Sequence, residues 1–257
     1  MTYKSNRMTE YTQLMSNLEN LGLISTKENF DHINNLVDKQ ELSFFKALLQ
    51  LTTSELSYRE ERAIAKRISR AKFPVAKHFE EFDFEFQPEI NKSEIMNFKT
   101  LNFLEKAENL IFIGSPGVGK THLAISTGIV ACEYGFRTIF ITCHEPLLRL
   151  RAARKKGNLN IVMRRYSNYE LLIIDEIGYL PMAEEDSNLL FQLINSRYER
   201  HSTIITTNVP LSGWGKILHN PAAAEAILDR LVHHAHIIKI PGKSYRLESI
   251  KKEQSKG

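Results

Sequence analysis

The residues best placed to do chemistry begin at Gly114-Ser115-Pro116-Gly117-Val118-Gly119-Lys120-Thr121, which has the spacing G-x-x-x-x-G-K-T. The apolar run Asn109-Leu110-Ile111-Phe112-Ile113 precedes it and His122-Leu123-Ala124-Ile125 follows. That order predicts a buried strand, a glycine-rich turn and a helix start, the context in which such a loop binds phosphate. Glycines let successive backbone N–H groups turn inward toward an anion. The helix start adds unpaired donors and a positive dipole end. Lys120 supplies a cation for β- and γ-phosphates, and Thr121 a hydroxyl for Mg²⁺.

Two further segments supply complementary groups. Leu171-Leu172-Ile173-Ile174-Asp175-Glu176 is an apolar run ending in two carboxylates. Asp175, at a buried strand end, is placed to reach Thr121 and hold the metal through water. Glu176 is the candidate general base for water attacking a γ-phosphate. Asn208 ends another run, Ser202-Thr203-Ile204-Ile205-Thr206-Thr207-Asn208. Its amide can donate to the γ-phosphate and orient the water; an Asn before Val209-Pro210 also suits a plain turn.

These groups need a frame to bring them together. Apolar strands at 110–113, 138–142, 171–176 and 202–208 alternate with helices at roughly 92–107, from the loop to Tyr134, about 145–156, around 159–166 and 184–200. Continuous apolar strands alternating with helices predict an α/β fold with a parallel sheet covered on both faces. Ligands then lie at the carboxyl ends of the strands, where Gly114, Asp175, Glu176 and Asn208 fall.

Residues 1–80 read differently. Apolar residues recur at helical spacing, and Gly22 is the only glycine before Gly114. Ser57-Tyr58-Arg59-Glu60 fits a capping box opening a helix to about Ala71, which Pro74 terminates. The expected organisation is a helical domain over 1–78, a connector over 79–91 and an ATPase domain over 92–257. In the connector, Phe82, Phe84 and Phe86 alternate, as on one face of an extended segment. They serve either as core or as cover for a nucleotide base.

With 42% apolar and 25% charged residues the composition is that of an ordinary globular protein. No apolar run reaches the length of a membrane span, and the N-terminus has no apolar signal core. A cytoplasmic chain with no membrane partner is the expectation. Cys132 and Cys143 form neither a metal set nor a disulfide framework and read as packing residues. His233, His234 and His236 read as helix-end or strand residues, with nothing nearby to complete a ligand set.

The net charge of +4 is unevenly spread. Residues 59–72 carry a local +4 and residues 149–165 a local +7, leaving the remainder net negative. Such concentration suggests a polyanion partner. Arg59, Arg62, Lys66, Arg67 and Arg70 share a helix face at steps of three and four. DNA contact and a solvated face are equal alternatives for them. Arg151, Arg154, Lys155 and Lys156 are the candidates on the second basic helix.

His122-Leu123-Ala124 after Gly-Lys-Thr, and the helical insertion between the second and third strands, resemble the DnaA/DnaC branch of AAA+ ATPases. Three segments are similar to the IstB-like transposition helper ATPases. They are Leu172–Pro181, Ser202–Asn208 with Trp214-Gly215, and Ile227-Leu228-Asp229-Arg230-Leu231-Val232-His233-His234 with Ser244-Tyr245-Arg246-Leu247. Phe82-Asp83-Phe84 also fits, and the resemblance spans about residues 57–248. It implies an AAA+ P-loop core that binds ATP and Mg²⁺, with Gly114–His122 around the nucleotide. Arg230 resembles an arginine finger reaching a neighbouring subunit's γ-phosphate. Arg246 resembles a second sensor reaching its own subunit's nucleotide. The implied assembly is a homo-oligomer that grips duplex DNA and recruits a cognate transposase. A DnaC-like loader of a replicative helicase shares this core and is the principal alternative. A nucleotide-binding scaffold that does not hydrolyse is a third reading, which Asp175-Glu176 argues against.

Overall fold

The computed structural model describes residues 2–178 and 182–248. Tyr179-Leu180-Pro181, part of one family-like segment, and the end of the expected ATPase domain lie outside the described residues. The chain divides into two compact units, Met1–Lys66 and Arg67–Gly257.

The first unit is helical, with α1 (Thr2–Asn20), α2 (Ile24–Asp38) and the greater part of α3 (Phe44–Ala71). Ile33, Ala47 and Leu51 form its small core. The helix expected to open at Ser57 opens at Phe44 instead: Ser43 Oγ accepts from Lys46 N (3.4 Å), and no Gly or Pro interrupts the run to Ser57. α3 stops where Lys72 takes a φ of 62°, just ahead of Pro74.

Residues 67–91 group with the sheet-bearing unit, where a division at residue 78 was expected. Arg67 Nε donates to the Cys132 carbonyl (2.7 Å), and Phe73 lies edge-on to Phe140. The segment around Phe82 is not extended. A 3₁₀ turn covers Phe79–Glu81, and turns follow. The helix expected over 92–107 is broken into α4 (Lys92–Asn97), a 3₁₀ turn at Phe98–Thr100 and α5 (Asn102–Glu105). Leu101, at a φ of 59°, makes the break.

Beyond it the alternation is as expected: β1 (Asn109–Gly114), α6 (Lys120–Glu133), β2 (Thr138–Thr142), α7 (His144–Lys155), α8 (Leu159–Ser167), β3 (Leu171–Ile177), α9 (Glu184–Arg197) and β4 (Ser202–Thr207). Then come α10 (Trp214–Ile217), α11 (Pro221–Val232) and β5 (Ala235–Ile240), a fifth strand. All pairings are parallel, in the order β2-β3-β4-β1-β5.

The middles of β1 to β4 are apolar and buried because both faces of the sheet are covered there, while edge strand β5 is only partly buried. Leu110, Phe112, Ile173 and Ile204 pack on one side with Leu123 and Ile129 of α6. Ile111, Leu172, Ile174 and Ile205 pack on the other with Leu150 of α7, Leu193 of α9 and Ile227 of α11. Each such side chain contributes about 1.5–3 kcal/mol by burial, so the strand ends are rigidly held. No helix among the described residues is long and apolar enough to cross a membrane.

Candidate active site

β1 pairs with β4, and β4 with β3, so their carboxyl ends lie side by side. An open pocket of about 760 Å³ lies there, a volume suited to a small-molecule ligand. Pro116–His122, Glu176, Asn208 and Arg246 line it. Its far wall, formed by Val75, Lys77, Phe82, Phe86, Gln87 and Tyr245, was only partly foreseen.

The loop between β1 and α6 requires its glycines. Gly119 has a φ of 102°, and a Cβ there would lie 2.4 Å from the Phe82 ring. Gly117, at φ 83°, closely approaches Ser244, while its carbonyl accepts from Tyr245 N (3.0 Å). The loop is thereby clasped between the aromatic connector and the C-terminal segment carrying Arg246. Phe82 stands edge-on to His122, whose Nε2 lies 2.8 Å from the His78 carbonyl, and Phe86 stands edge-on to Tyr245. Phe84 packs on Phe82, outside the pocket lining. The connector aromatics thus divide between core and pocket wall.

Lys120 Nζ donates to the carbonyls of Gly114 and Ser115, both at 2.8 Å. Burial lowers the Lys120 pKa below its ordinary value; Asp175 opposes the shift and Arg246 adds to it. A half-desolvated cation at the mouth of a glycine loop favours a polyphosphate.

Asp175 is 4% exposed. Its Oδ1 accepts from Thr121 Oγ1 (2.9 Å) and Thr206 Oγ1 (2.6 Å). Thr206, missed in the sequence, fixes the carboxylate, and its oxygen also accepts from Glu176 N (2.9 Å). The Thr121–Asp175 pair offers hard oxygens of the kind Mg²⁺ takes when substrate and water complete its shell. The β3–β4 register is irregular between Ile174 and Ile177, and Glu176 has a φ of 61°. This kink keeps Asp175 buried while leaving Glu176 exposed in the pocket. Asn208, just beyond β4, is exposed in the same pocket.

Arg230 does not line this pocket. Its Nε donates to Asn195 Oδ1 (2.8 Å), its Nη1 to the Ala226 carbonyl (3.0 Å), and its guanidinium lies 4.8 Å from the Phe191 ring centre. Arg230 is therefore half-buried between α11 and α9.

The basic candidates divide by environment. Arg151 makes a two-point ion pair with buried Asp186, which also accepts from Ala183 N at the start of α9 (3.0 Å). Arg154 pairs with Glu185 (3.3 Å), and neighbouring Arg149 with Glu145 (2.6 Å). The local +7 is thus partly neutralised, and Arg151 braces α7 against α9 where a free DNA contact was expected. Lys155 and Lys156 are exposed. On α3, Arg59 pairs with Glu55 (2.9 Å) and Arg62 lies over the Tyr58 ring. Arg67 turns inward, leaving Lys66 and Arg70 exposed.

Both cysteines are buried, and burial pushes the Cys143 thiol up to about 12, as for packing residues. His233 and His234 follow the end of α11 and His236 lies in β5, as expected, but Glu199 lies beside His233 and His234 and makes a three-residue cluster where no further ligand was expected.

A parallel sheet with the phosphate loop after β1, acids at the carboxyl end of the strand two places away and a polar residue after the strand between defines an AAA+-type nucleotide-binding domain. The solved DnaC helicase loader shares this core. It is 26% identical, with a TM-score of 0.50 over 58% of this chain and 87% of that one. Within that class, the chain belongs to the IstB-like ATP-binding proteins, whose family model matches residues 16–254. The ATP-binding protein of insertion sequence IS232 from Bacillus thuringiensis subsp. berliner is 47% identical, covering 93% of this chain and 95% of the relative. Its counterpart in IS21 from Pseudomonas aeruginosa is 39% identical, covering 86% and 84%.

Proposed function

We propose that the chain is a Mg²⁺-dependent ATPase that assembles on duplex DNA, with ATP between subunits, and assists the transposase of an insertion sequence in target selection. The observation that carries the hydrolytic part is the contact between buried Asp175 and Thr121, which lines the pocket together with Glu176. Thr121 and Asp175 would hold Mg²⁺, which would supply positive charge to offset that of the polyphosphate. Lys120 and the loop N–H groups orient the polyphosphate. Asn208 positions a water, and Glu176 accepts its proton as the water oxygen bonds to the γ-phosphorus. The bond from that phosphorus to the β–γ bridging oxygen breaks, giving ADP and inorganic phosphate. Arg246 contacts the nucleotide in its own subunit.

Arg230 completes the site of a neighbouring subunit. Its position outside its own subunit's pocket supports that role. ATP then favours assembly and hydrolysis loosens it. The insertion-sequence context of the relatives supports a transposase as partner. Lys66, Arg70, Lys155 and Lys156 are the exposed candidates for backbone phosphates, a contact largely independent of sequence and weakened by salt.

Gel shift and light scattering with ATP and duplex DNA test the proposal. ATP-dependent assembly on the duplex is expected; its absence from protein that binds ATP overturns the proposal. The DnaC core likeness favours helicase loading as a second reading. Capture of a hexameric helicase, with no capture of the transposase, would select it.

A further inference from the structure

We infer that Glu199, His233 and His234 form a surface site for one divalent transition metal of the zinc class. The residues follow the ends of two packed helices: Glu199 lies just beyond α9, and the two histidines just beyond α11. One ligand atom from each lies within 4.8 Å of the others. His234 Nε2 and Glu199 Oε1 are 3.6 Å apart, and the two imidazole centres are 4.0 Å apart. Bonds of about 2.0–2.1 Å in a tetrahedral shell put neighbouring ligand atoms about 3.3 Å apart. The His234–Glu199 pair is already near that spacing. All three residues are exposed.

A second contact orients the set. Tyr198 Oη lies 2.7 Å from His233 Nδ1, occupying that nitrogen and leaving Nε2 for a ligand bond. Metal-bound histidines are commonly fixed in this way through their other nitrogen. Two imidazoles and one carboxylate match zinc, cobalt, nickel or copper, whereas Mg²⁺ and Ca²⁺ prefer oxygen shells. The three residues leave the fourth position of the shell to water. None of them lines the nucleotide pocket, so this site is separate from the one that would hold Mg²⁺. A bound ion would fasten the end of α9 to the end of α11, the two helices that hold Arg230.

The simple alternative is a His234–Glu199 ion pair with no metal, and titration separates the two. Untagged full-length protein is titrated with Co²⁺ by absorption, and with Zn²⁺ in competition with a chromophoric chelator. The expected result is one equivalent per chain, unchanged by excess Mg²⁺. Zn²⁺ affinity should fall about tenfold or more in each of Glu199→Gln, His233→Asn and His234→Asn, as loss of one ligand from three requires. Zn²⁺ should also raise the Tm of the wild type and not that of the variants. Retained ATP binding and circular dichroism establish that the variants fold. Absence of stoichiometric binding, displacement by Mg²⁺, or undiminished affinity in folded variants overturns the inference.

Discussion

The wall of the nucleotide pocket and the surface around Arg230 are built on opposite terms. Lys120, Thr121 and Asp175 sit at the end of a buried strand or on the first turn of a buried helix; Lys120 is held by the Gly114 and Ser115 carbonyls, and Thr121 and Thr206 both donate to Asp175. Arg230 is also positioned by named contacts, to Asn195, Ala226 and Phe191, yet it does not line the pocket. One region is a single pocket that gathers Lys120, Thr121 and Glu176. The other is a prepared cation whose anionic partner is not supplied by the same pocket. The difference teaches how the two halves of the proposal can be separated: nucleotide binding is proposed to rest on one chain, and hydrolysis to need two.

Substitutions should divide along the same line. The largest effect is expected from Lys120→Ala, which removes the half-buried ammonium. ATP affinity should fall about 10–100-fold by calorimetry, with turnover lost as well. Intact affinity would break the distinction at its base. Arg230→Ala should keep ATP affinity while lowering kcat of the assembled protein by about 10³-fold or more. Glu176→Gln should also keep ATP binding and lower kcat by about 10²–10⁴-fold. Unaltered turnover in that variant would remove Glu176 from the role of base. The smallest effect belongs to Asn195→Ala, which frees the Arg230 guanidinium without removing it. A fall of about tenfold in kcat, with KM unchanged, would show that positioning matters.

Much of this site was legible because it is encoded locally. Four apolar residues before Asp175 and a glycine loop before Lys120 identify two strand ends, and a parallel sheet brings such ends together. Other features depend on partners distant in sequence. Nothing near Arg151 reveals that Asp186 will meet it, so a paired side chain reads as an open basic patch. Glu199 lies 34 residues before His233, and the α9–α11 packing brings them together. Ser57-Tyr58-Arg59-Glu60 has the spacing of a cap, but a continuous helix already runs through it. The break at Leu101 has no Gly or Pro to mark it.

The central claim is that catalysis requires residues from two subunits. Arg230→Ala and Glu176→Gln chains, each inactive alone, are mixed in equal amounts with ATP and duplex DNA, and phosphate release is measured. Sites pairing Glu176 of the first chain with Arg230 of the second should restore a fraction of wild-type turnover. Turnover that stays at the level of the separate variants, although both chains enter the same assembly, would contradict a finger acting between subunits.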